Sequence, residues 1–88
     1  MSEEKFNQHD NTTLENYANT MLDKVSKNVV KYRKQKGFSQ AQLAKAIGYK
    51  SAAYLGKAEV RKENHHFNIK QVAKISKVLE IDIDSFFK

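Results

Sequence analysis

The chain has 88 residues, of which 40% are hydrophobic and 30% charged, a composition typical of one small globular domain and not of a disordered segment. It contains no cysteine, which excludes a disulfide scaffold and a cysteine-ligated zinc site. No apolar run has the length that a membrane-spanning helix needs, and the first residues lack the pattern of a secretion signal, so we expect a cytoplasmic protein.

The charge is distributed unevenly along the chain. The formal net charge at pH 7 is +6, but residues 1–20 carry four acids and one lysine, so residues 21–88 carry +9. Eleven lysines or arginines and a single acid, Glu59, lie between Lys24 and Lys62. This basic segment between acidic ends favours a polyanionic partner such as a nucleic acid, although a solvated lysine-rich surface would show the same bias.

The first helix is predicted from a stripe of apolar residues. We expect a polar, flexible leader over residues 1–19 and one folded domain over residues 20–88. Spacings of three and four residues, typical of one side of a helix, separate Leu14, Tyr17, Met21, Val25, Val29 and Tyr32. Thr20 is predicted to cap a helix that runs to about Lys36. Whether residues 13–19 extend that helix is left open.

The second and third helices have clear start signals. Ser39 followed by Gln42 is a capping box, and Gly48 suits the left-handed conformation that ends a helix. Ser51 is the next good N-cap, which predicts a third helix over residues 52–60.

A fourth helix and a final turn complete the chain. Asn68 is predicted to cap the helix, whose apolar side carries Ile69, Val72, Ile75 and Leu79. Asp82 is predicted to cap a last turn with Ile83, Phe86 and Phe87, of which Phe86 is assigned to the core. No β alternation competes with these signals, so the predicted fold class is all-α, with four to five short helices.

From Leu22 to Phe87, about three quarters of the chain, the sequence resembles the Cro/phage-repressor type helix-turn-helix (XRE-like) domains, which have a lambda-repressor-like fold. The matching stretches are KYRKQKGFSQAQLAKAIGY, YLGKAE and NIKQVAKISKVLEIDIDSFF. The first is the most specific, because several residues fall where the family pattern has them: Gly37, Ser39, Gln40, Leu43, Ala44 and Gly48.

The resemblance implies that helix two lies across the phosphate backbone of DNA while helix three enters the major groove. Gln40 would contact a phosphate through its side chain and backbone N–H, although it also suits a plain helix start. Further DNA contacts are expected from the flanking cations Lys50, Arg61 and Lys62. The exposed side of helix three would be formed by Ser51, Ala52, Ala53, Tyr54, Gly56 and Lys57.

The sequence departs from the family pattern at the turn between these helices. One extra residue separates Gly48 from the core positions of helix three. Placing an insertion in the turn, at Tyr49 or Lys50, brings helix three into register. Leu55, Ala58 and Glu59 then fall into the family register, and Leu55 and Ala58 are predicted to face inward.

A second departure concerns the side chains that would read bases. The predicted reading side of helix three has no Arg, Asn or Gln, so bidentate recognition of guanine by arginine is absent from it. Ala52 and Ala53 can contact thymine methyls, while Tyr54 and Lys57 can donate hydrogen bonds. Gly56 costs the helix about 1 kcal/mol relative to alanine, which indicates either a close backbone approach or tolerance of a weak helix.

Arg33 and Glu59 occupy positions that form an ion pair in the family. The resemblance implies that this pair locks helix three against helix one and orients Arg33 toward a DNA phosphate. Arginine suits the role because its planar guanidinium binds a carboxylate bidentately. The alternative is two unrelated surface charges.

Neither a cofactor, a metal nor an enzymatic activity is expected. His65 and His66 are adjacent, and adjacent residues rarely converge on one ion. No metalloprotease, phosphate-loop or nucleophile-elbow motif is present.

Two functional hypotheses follow. The first is a small prokaryotic transcription regulator, most simply a repressor, which binds double-stranded DNA as a homodimer and is then associated with the nucleoid. Its dimer surface would include Phe87 and the C-terminal turn. The second is an antitoxin or adaptor that keeps the fold, binds DNA weakly, and uses the leader residues Phe6, Leu14 and Tyr17 to bind a protein partner.

Overall fold

Four α-helices follow one another along the chain. The computed structural model describes residues 10–88, and its α-helices are α1 (Asn11–Gln35), α2 (Gln40–Ile47), α3 (Ala52–Glu59) and α4 (Ile69–Leu79). Two short 3-10 helices, Lys62–Asn64 and Ile83–Phe87, follow α3 and α4 respectively. The described residues contain no β-strand, and the predicted all-α fold is confirmed.

The first helix begins earlier than predicted. Asp10 is its N-cap, since the carboxylate Oδ1 accepts the backbone N–H of Thr13 at 2.8 Å, and this hydrogen bond lowers the pKa of Asp10. The prediction that Thr20 caps the helix is wrong. Thr20 lies inside α1, where its hydroxyl donates to the carbonyl of Asn16 at 2.9 Å. Threonine makes this bond within helices as readily as it caps them, so its presence alone does not mark a helix start.

The first ten residues of α1 project beyond the core. Residues 11–20 are all exposed, and the apolar side chains of Leu14 and Tyr17 have exposed fractions of 53% and 69%. The boundary predicted between residues 19 and 20 therefore falls inside a continuous helix, although all the buried residues of this helix belong to its second part. Residues 1–9 of the predicted leader lie outside the described residues, and the division itself stays a prediction.

The predicted starts of α2 and α3 are confirmed. Ser39 Oγ accepts the N–H of Gln42 at 3.0 Å, and Gln42 Oε1 accepts the N–H of Ser39 at 2.8 Å, which completes the capping box. Gly48 ends α2 with φ of +71°. Ser51 caps α3 by accepting the N–H of Tyr54 at 3.1 Å.

The core lies where the second part of α1 meets α2, α3 and α4. Its buried apolar residues are Val25, Val29, Leu43, Ala44, Ile47, Leu55, Ala58, Phe67, Val72, Ile75, Leu79 and Phe86. Asn68 caps α4 with a capping box to Gln71, as predicted for its start. Ile69, predicted to lie on the apolar side of α4, is the first residue of the helix and is 66% exposed, so it does not share the burial of Val72, Ile75 and Leu79. Within residues 10–88, no helix combines the length and apolarity needed to cross a membrane.

The C-terminal turn closes against α1. Phe86 is fully buried, as predicted, and its ring meets that of Tyr32 edge-on with centroids 5.3 Å apart. The side-chain amide of Asn28 donates to the carbonyl of Phe86 at 2.9 Å. Asp82 makes no side-chain cap, contrary to the prediction; its backbone carbonyl accepts the N–H of Ser85 at 3.0 Å instead.

Candidate nucleic-acid interface

The turn between α2 and α3 determines how the two helices pack. Gly48 adopts the left-handed conformation and Tyr49 N–H donates to the carbonyl of Ala44 at 2.8 Å, which satisfies the end of α2. The register predicted for α3 is confirmed, because Leu55, Ala58 and Glu59 are all buried. With the extra residue in the turn, α3 therefore packs against the core through the residues that the sequence predicts.

Arg33 and Glu59 form the predicted ion pair. Arg33 Nε donates to Glu59 Oε2 at 2.7 Å and Nη2 donates to Oε1 at 3.2 Å, so the contact is bidentate. The remaining nitrogen, Nη1, donates to the backbone carbonyl of Phe38 at 2.9 Å. The two residues are only 7% and 6% exposed, which makes this a buried pair joining the end of α1 to the end of α3.

Gln40 extends this pair into a network that reaches the start of α2. Its side-chain Nε2 donates to Glu59 Oε1 at 2.9 Å, and the residue is half-buried. The first N–H groups of an α-helix have no acceptor within the helix, so those of Gln40 and Ala41 point outward from the start of α2. The partial positive charge at this helix end favours an anion such as a phosphate. We call Arg33, Gln40 and Glu59 the junction network.

Gly56 lies directly beneath the side chain of Gln40. A Cβ atom built on Gly56 would stand 3.3 Å from Gln40 Nε2, closer than side chains normally pack. A side chain at position 56 would therefore crowd the Gln40 amide. Gly56 thus faces α2, and the prediction that it lies on the exposed side of α3 is wrong.

The predicted reading residues differ in how much of each side chain is accessible. Ser51 and Ala53 are exposed, whereas Ala52, Tyr54 and Lys57 are half-buried. Ser51 Oγ is already engaged in capping α3. The accessible side of α3 therefore offers few side-chain hydrogen-bond donors beyond those of Tyr54 and Lys57.

The rings of Tyr49 and His65 both pack against the ring of Tyr54. Its ring centroid lies 5.3 Å from that of Tyr49 and 4.9 Å from the imidazole of His65, while Lys50 Nζ lies 5.1 Å above the Tyr54 ring. Tyr49 also contacts Phe67, with centroids 6.3 Å apart, and burial raises the pKa of the Tyr49 hydroxyl. This cluster leaves no periodic signal in the sequence, because its members come from the turn, from α3 and from the loop before α4.

Arg61 is positioned against α1. Its Nε donates to Asp23 Oδ1 at 3.0 Å, Nη2 to Asn19 Oδ1 at 2.9 Å and Nη1 to the carbonyl of His65 at 3.3 Å. Its backbone is left-handed, with φ of +59°. The guanidinium thus connects the loop after α3 to α1, and no motif in the sequence indicates this contact. The phosphate contact predicted for Arg61 stays a prediction.

The other predicted cations lie near the solvent. Lys50 and Lys62 are exposed, and Lys57 Nζ lies 3.4 Å from Glu63 Oε1 in a solvent-accessible pair. Such pairs contribute little stability, so Lys57 can exchange its carboxylate partner for a phosphate at small cost.

The histidines are engaged separately. His65 packs on Tyr54, while His66 Nδ1 lies 3.2 Å from the carbonyl of Asn64. Among residues 10–88, no group of three or more His, Asp or Glu side chains is arranged to hold a metal ion.

The structure thus unites Arg33, Gln40, Gly56 and Glu59 at one junction, beside the exposed side of α3. A helix-turn-helix family model matches residues 29–86, which is more than half of the chain and includes the whole α2–α3 unit. Comparison with curated proteins and with solved structures found no match. The chain belongs to the Cro/C1-type helix-turn-helix family of DNA-binding domains.

Proposed function

We propose that this protein is a transcription regulator that binds a specific double-stranded DNA site as a homodimer. The observation that carries the proposal is the junction network, in which Gln40 at the start of α2 shares the carboxylate of Glu59 with Arg33. This network connects the start of α2, which would bind a phosphate, to α3, which would enter the major groove. Preset geometry of this kind lets one protein surface contact backbone and bases together.

Phosphate binding is assigned to the start of α2 and to the cations around α3. Gln40 would donate from its backbone and side chain, and Lys50, Lys57 and Lys62 would neutralise neighbouring phosphates. Arg33 has its three donor nitrogens engaged within the domain, so we assign it a positioning role, through Glu59 and Gln40.

Base recognition is assigned to the exposed side of α3. Ala53 and the methyl of Ala52 suit thymine methyl groups, and the hydroxyl of Tyr54 suits a base acceptor or a phosphate. Few directional donors are available there, so groove shape and DNA deformability supply a larger share of the specificity.

Two copies would bind a palindromic site. A two-fold axis would place the two α3 helices about 34 Å apart, one turn of DNA, on half-sites with the same spacing. A dimer on a promoter blocks polymerase, so repression of its own gene is the simplest regulatory outcome. Its site of action would be the nucleoid in the cytoplasm.

The test is fluorescence anisotropy with DNA from upstream of the gene, beside a scrambled duplex, across a salt series. A specific regulator should prefer the cognate duplex by on the order of a thousandfold at physiological salt. Lys57→Ala should reduce the slope of log affinity against log salt by about 0.9, the release of one counterion. Lys77→Ala, in the last turn of α4, is the matched control and should leave the slope unchanged. Equal binding of both duplexes would contradict the proposal.

A second candidate function is favoured by the exposed side chains of Leu14 and Tyr17. Two large apolar groups on the projecting part of α1 are costly to leave in water and suit a protein partner, as the antitoxin or adaptor hypothesis requires. Phe6, the third residue of that hypothesis, lies outside the described residues.

The double variant Leu14→Ser with Tyr17→Ser separates the two functions. Both residues are outside the core, so the fold and any DNA affinity should be retained. An antitoxin or adaptor should lose co-purification of the product of a neighbouring gene. If the double variant behaves as the parent in both assays, this second candidate is wrong.

A further inference from the structure

Gly56 is an unusual choice for the middle of a short helix. α3 has only eight residues, and Gly56 is the fifth of them, where glycine has a low helix propensity. Its φ is negative, so no left-handed backbone requires glycine at this position. The reason for glycine must therefore lie in what approaches the helix.

The approaching group is the side-chain amide of Gln40. Relative to a Cβ built on Gly56, Gln40 Nε2 would stand at 3.3 Å, Oε1 at 3.5 Å and Cδ at 3.6 Å. The amide group thus lies against the bare backbone of α3. In that position it donates to Glu59 Oε1 at 2.9 Å, and Glu59 is itself held by Arg33.

Adding one methyl group at Gly56 would affect this amide before it affects the backbone. The amide is the far end of a flexible side chain, and it can move by rotating about its own bonds. The amide must move outward by a few tenths of an ångström, which weakens its 2.9 Å bond to Glu59 and lets Gln40 sample other rotamers at the start of α2. The buried pair of Arg33 and Glu59 can remain in place, since it is bidentate without Gln40.

We propose that Gly56 is a positioning residue for DNA binding: the absence of its side chain lets the Gln40 amide dock on Glu59, which holds Gln40 ready for a phosphate. The inference rests on the proposed DNA-binding function. It assigns Gly56 no contact with DNA, in contrast to the role expected for it from the sequence.

The experiment is a double-mutant cycle of Gly56→Ala and Gln40→Ala, read by DNA affinity and by thermal unfolding. Gly56→Ala should change the Tm little, because the gain in helix propensity opposes the loss of the Gln40–Glu59 hydrogen bond. Affinity for the cognate duplex should fall about fivefold, the cost of ordering one flexible side chain on binding. Gln40→Ala should lower affinity by at least as much. In the Gln40→Ala background, adding Gly56→Ala should change affinity less than twofold.

The side-chain amide signals in an NMR spectrum provide the structural readout. In the Gly56→Ala protein without DNA, the signal of Gln40 should shift, while those of Gln42 and Gln71 should not. The last two are matched controls, since each is held in a capping box at the start of its own helix and neither contributes any of the three heavy atoms nearest to a Cβ built on Gly56.

Three results would overturn the inference. One is an unchanged affinity in Gly56→Ala; another is an equal loss of affinity from Gly56→Ala with and without Gln40, which would mean that the methyl group meets DNA directly. The third is a Gln40 amide signal that does not move. Failure of the parent protein to prefer cognate DNA would instead overturn the proposed function, so the two failures are distinguishable.

Discussion

Arg33 and Glu59 are opposite charges that lie almost out of contact with water. Removing them from water is costly, and the cost is offset only because both polar ends are fully hydrogen-bonded, to each other, to the carbonyl of Phe38 and to Gln40. The family resemblance predicted the pair itself. It did not predict the burial or the two additional partners, which depend on how α2 approaches α3.

Arg33→Ala should weaken folding and DNA binding together. It leaves the Glu59 carboxylate buried without its partner, which costs about 3–5 kcal/mol of unfolding free energy. The same change releases Gln40 from a fixed geometry. Urea unfolding and anisotropy measure the two effects, with Lys31→Ala, an exposed cation on the same helix, as control. Parental stability together with parental affinity would contradict this expectation.

Ionisation of the Tyr49 hydroxyl is expected to lower the stability of the domain at alkaline pH. Burial raises the pKa of its hydroxyl above the usual 10.0, with a smaller contribution from neighbouring Tyr54, and the hydrogen bond to Gln71 only partly opposes this. A raised pKa in the folded state means that ionisation favours unfolding. The associated stability is present below about pH 10 and is lost as pH rises through the folded-state pKa.

Tyr49→Phe should therefore flatten the alkaline limb of the stability curve. Phenylalanine keeps the ring contacts with Tyr54 and Phe67 and cannot ionise. The Tm of the parent should fall between pH 9 and pH 11 more steeply than that of the variant. Parallel curves would show that the Tyr49 hydroxyl does not contribute.

At the scale of elements, helix starts are set by local contacts. Ser39, Ser51 and Asn68 each cap through a bond to a residue three positions on, which sequence shows directly. The start of α1 was misplaced because Asp10 and Thr20 both suit a cap. Choosing between them depends on whether the intervening residues stay helical, and no strong local signal decides that.

The loop after α3 is shaped by contacts with α1 rather than by its own residues. Arg61, Glu63 and Asn64 all have positive φ, a conformation that costs side chains energy outside glycine. The three bonds made by the Arg61 guanidinium offset part of that cost. The loop is therefore held in a strained shape next to α3.

The variants Arg61→Ala and Arg61→Gly distinguish the cost of the left-handed backbone at position 61 from the contribution of the guanidinium hydrogen bonds. Both variants lose the bonds to Asn19 and Asp23, but only glycine relieves the left-handed backbone. Arg61→Gly should be more stable than Arg61→Ala by about 1 kcal/mol in urea unfolding. Equal stabilities would mean that the backbone at this position is not strained in solution.

At the scale of the whole molecule, we propose that the C-terminal turn forms the contact between the two subunits of the proposed homodimer. Phe87 is half-buried beside the fully buried Phe86, and Ile83 is exposed on the same turn. The exposed parts of Phe87 and Ile83 form an apolar surface beside the core, and such a surface is suited to contact the same surface of a second subunit.

Phe87→Ser should convert a dimer to a monomer without unfolding it, as measured by sedimentation equilibrium and circular dichroism. Phe86→Ala is the contrasting variant and should cost about 3–5 kcal/mol of stability, because it opens a cavity in the core. Phe87→Ser protein that stays dimeric would place the interface on another surface.

The sequence by itself determined the all-α class, the starts of α2, α3 and α4, the register of α3 and the pairing of Arg33 with Glu59. These follow from contacts within one helical turn, from apolar periodicity and from the family pattern. Only the tertiary structure decided that Gln40 rests on Gly56, that Arg61 reaches Asn19, and that Leu14 and Tyr17 remain uncovered. The physical reason is the separation of these residues along the chain. Gln40 and Gly56 are 16 positions apart and Asn19 and Arg61 are 42 apart, so no helical periodicity connects them and only the packing of the helices brings them together.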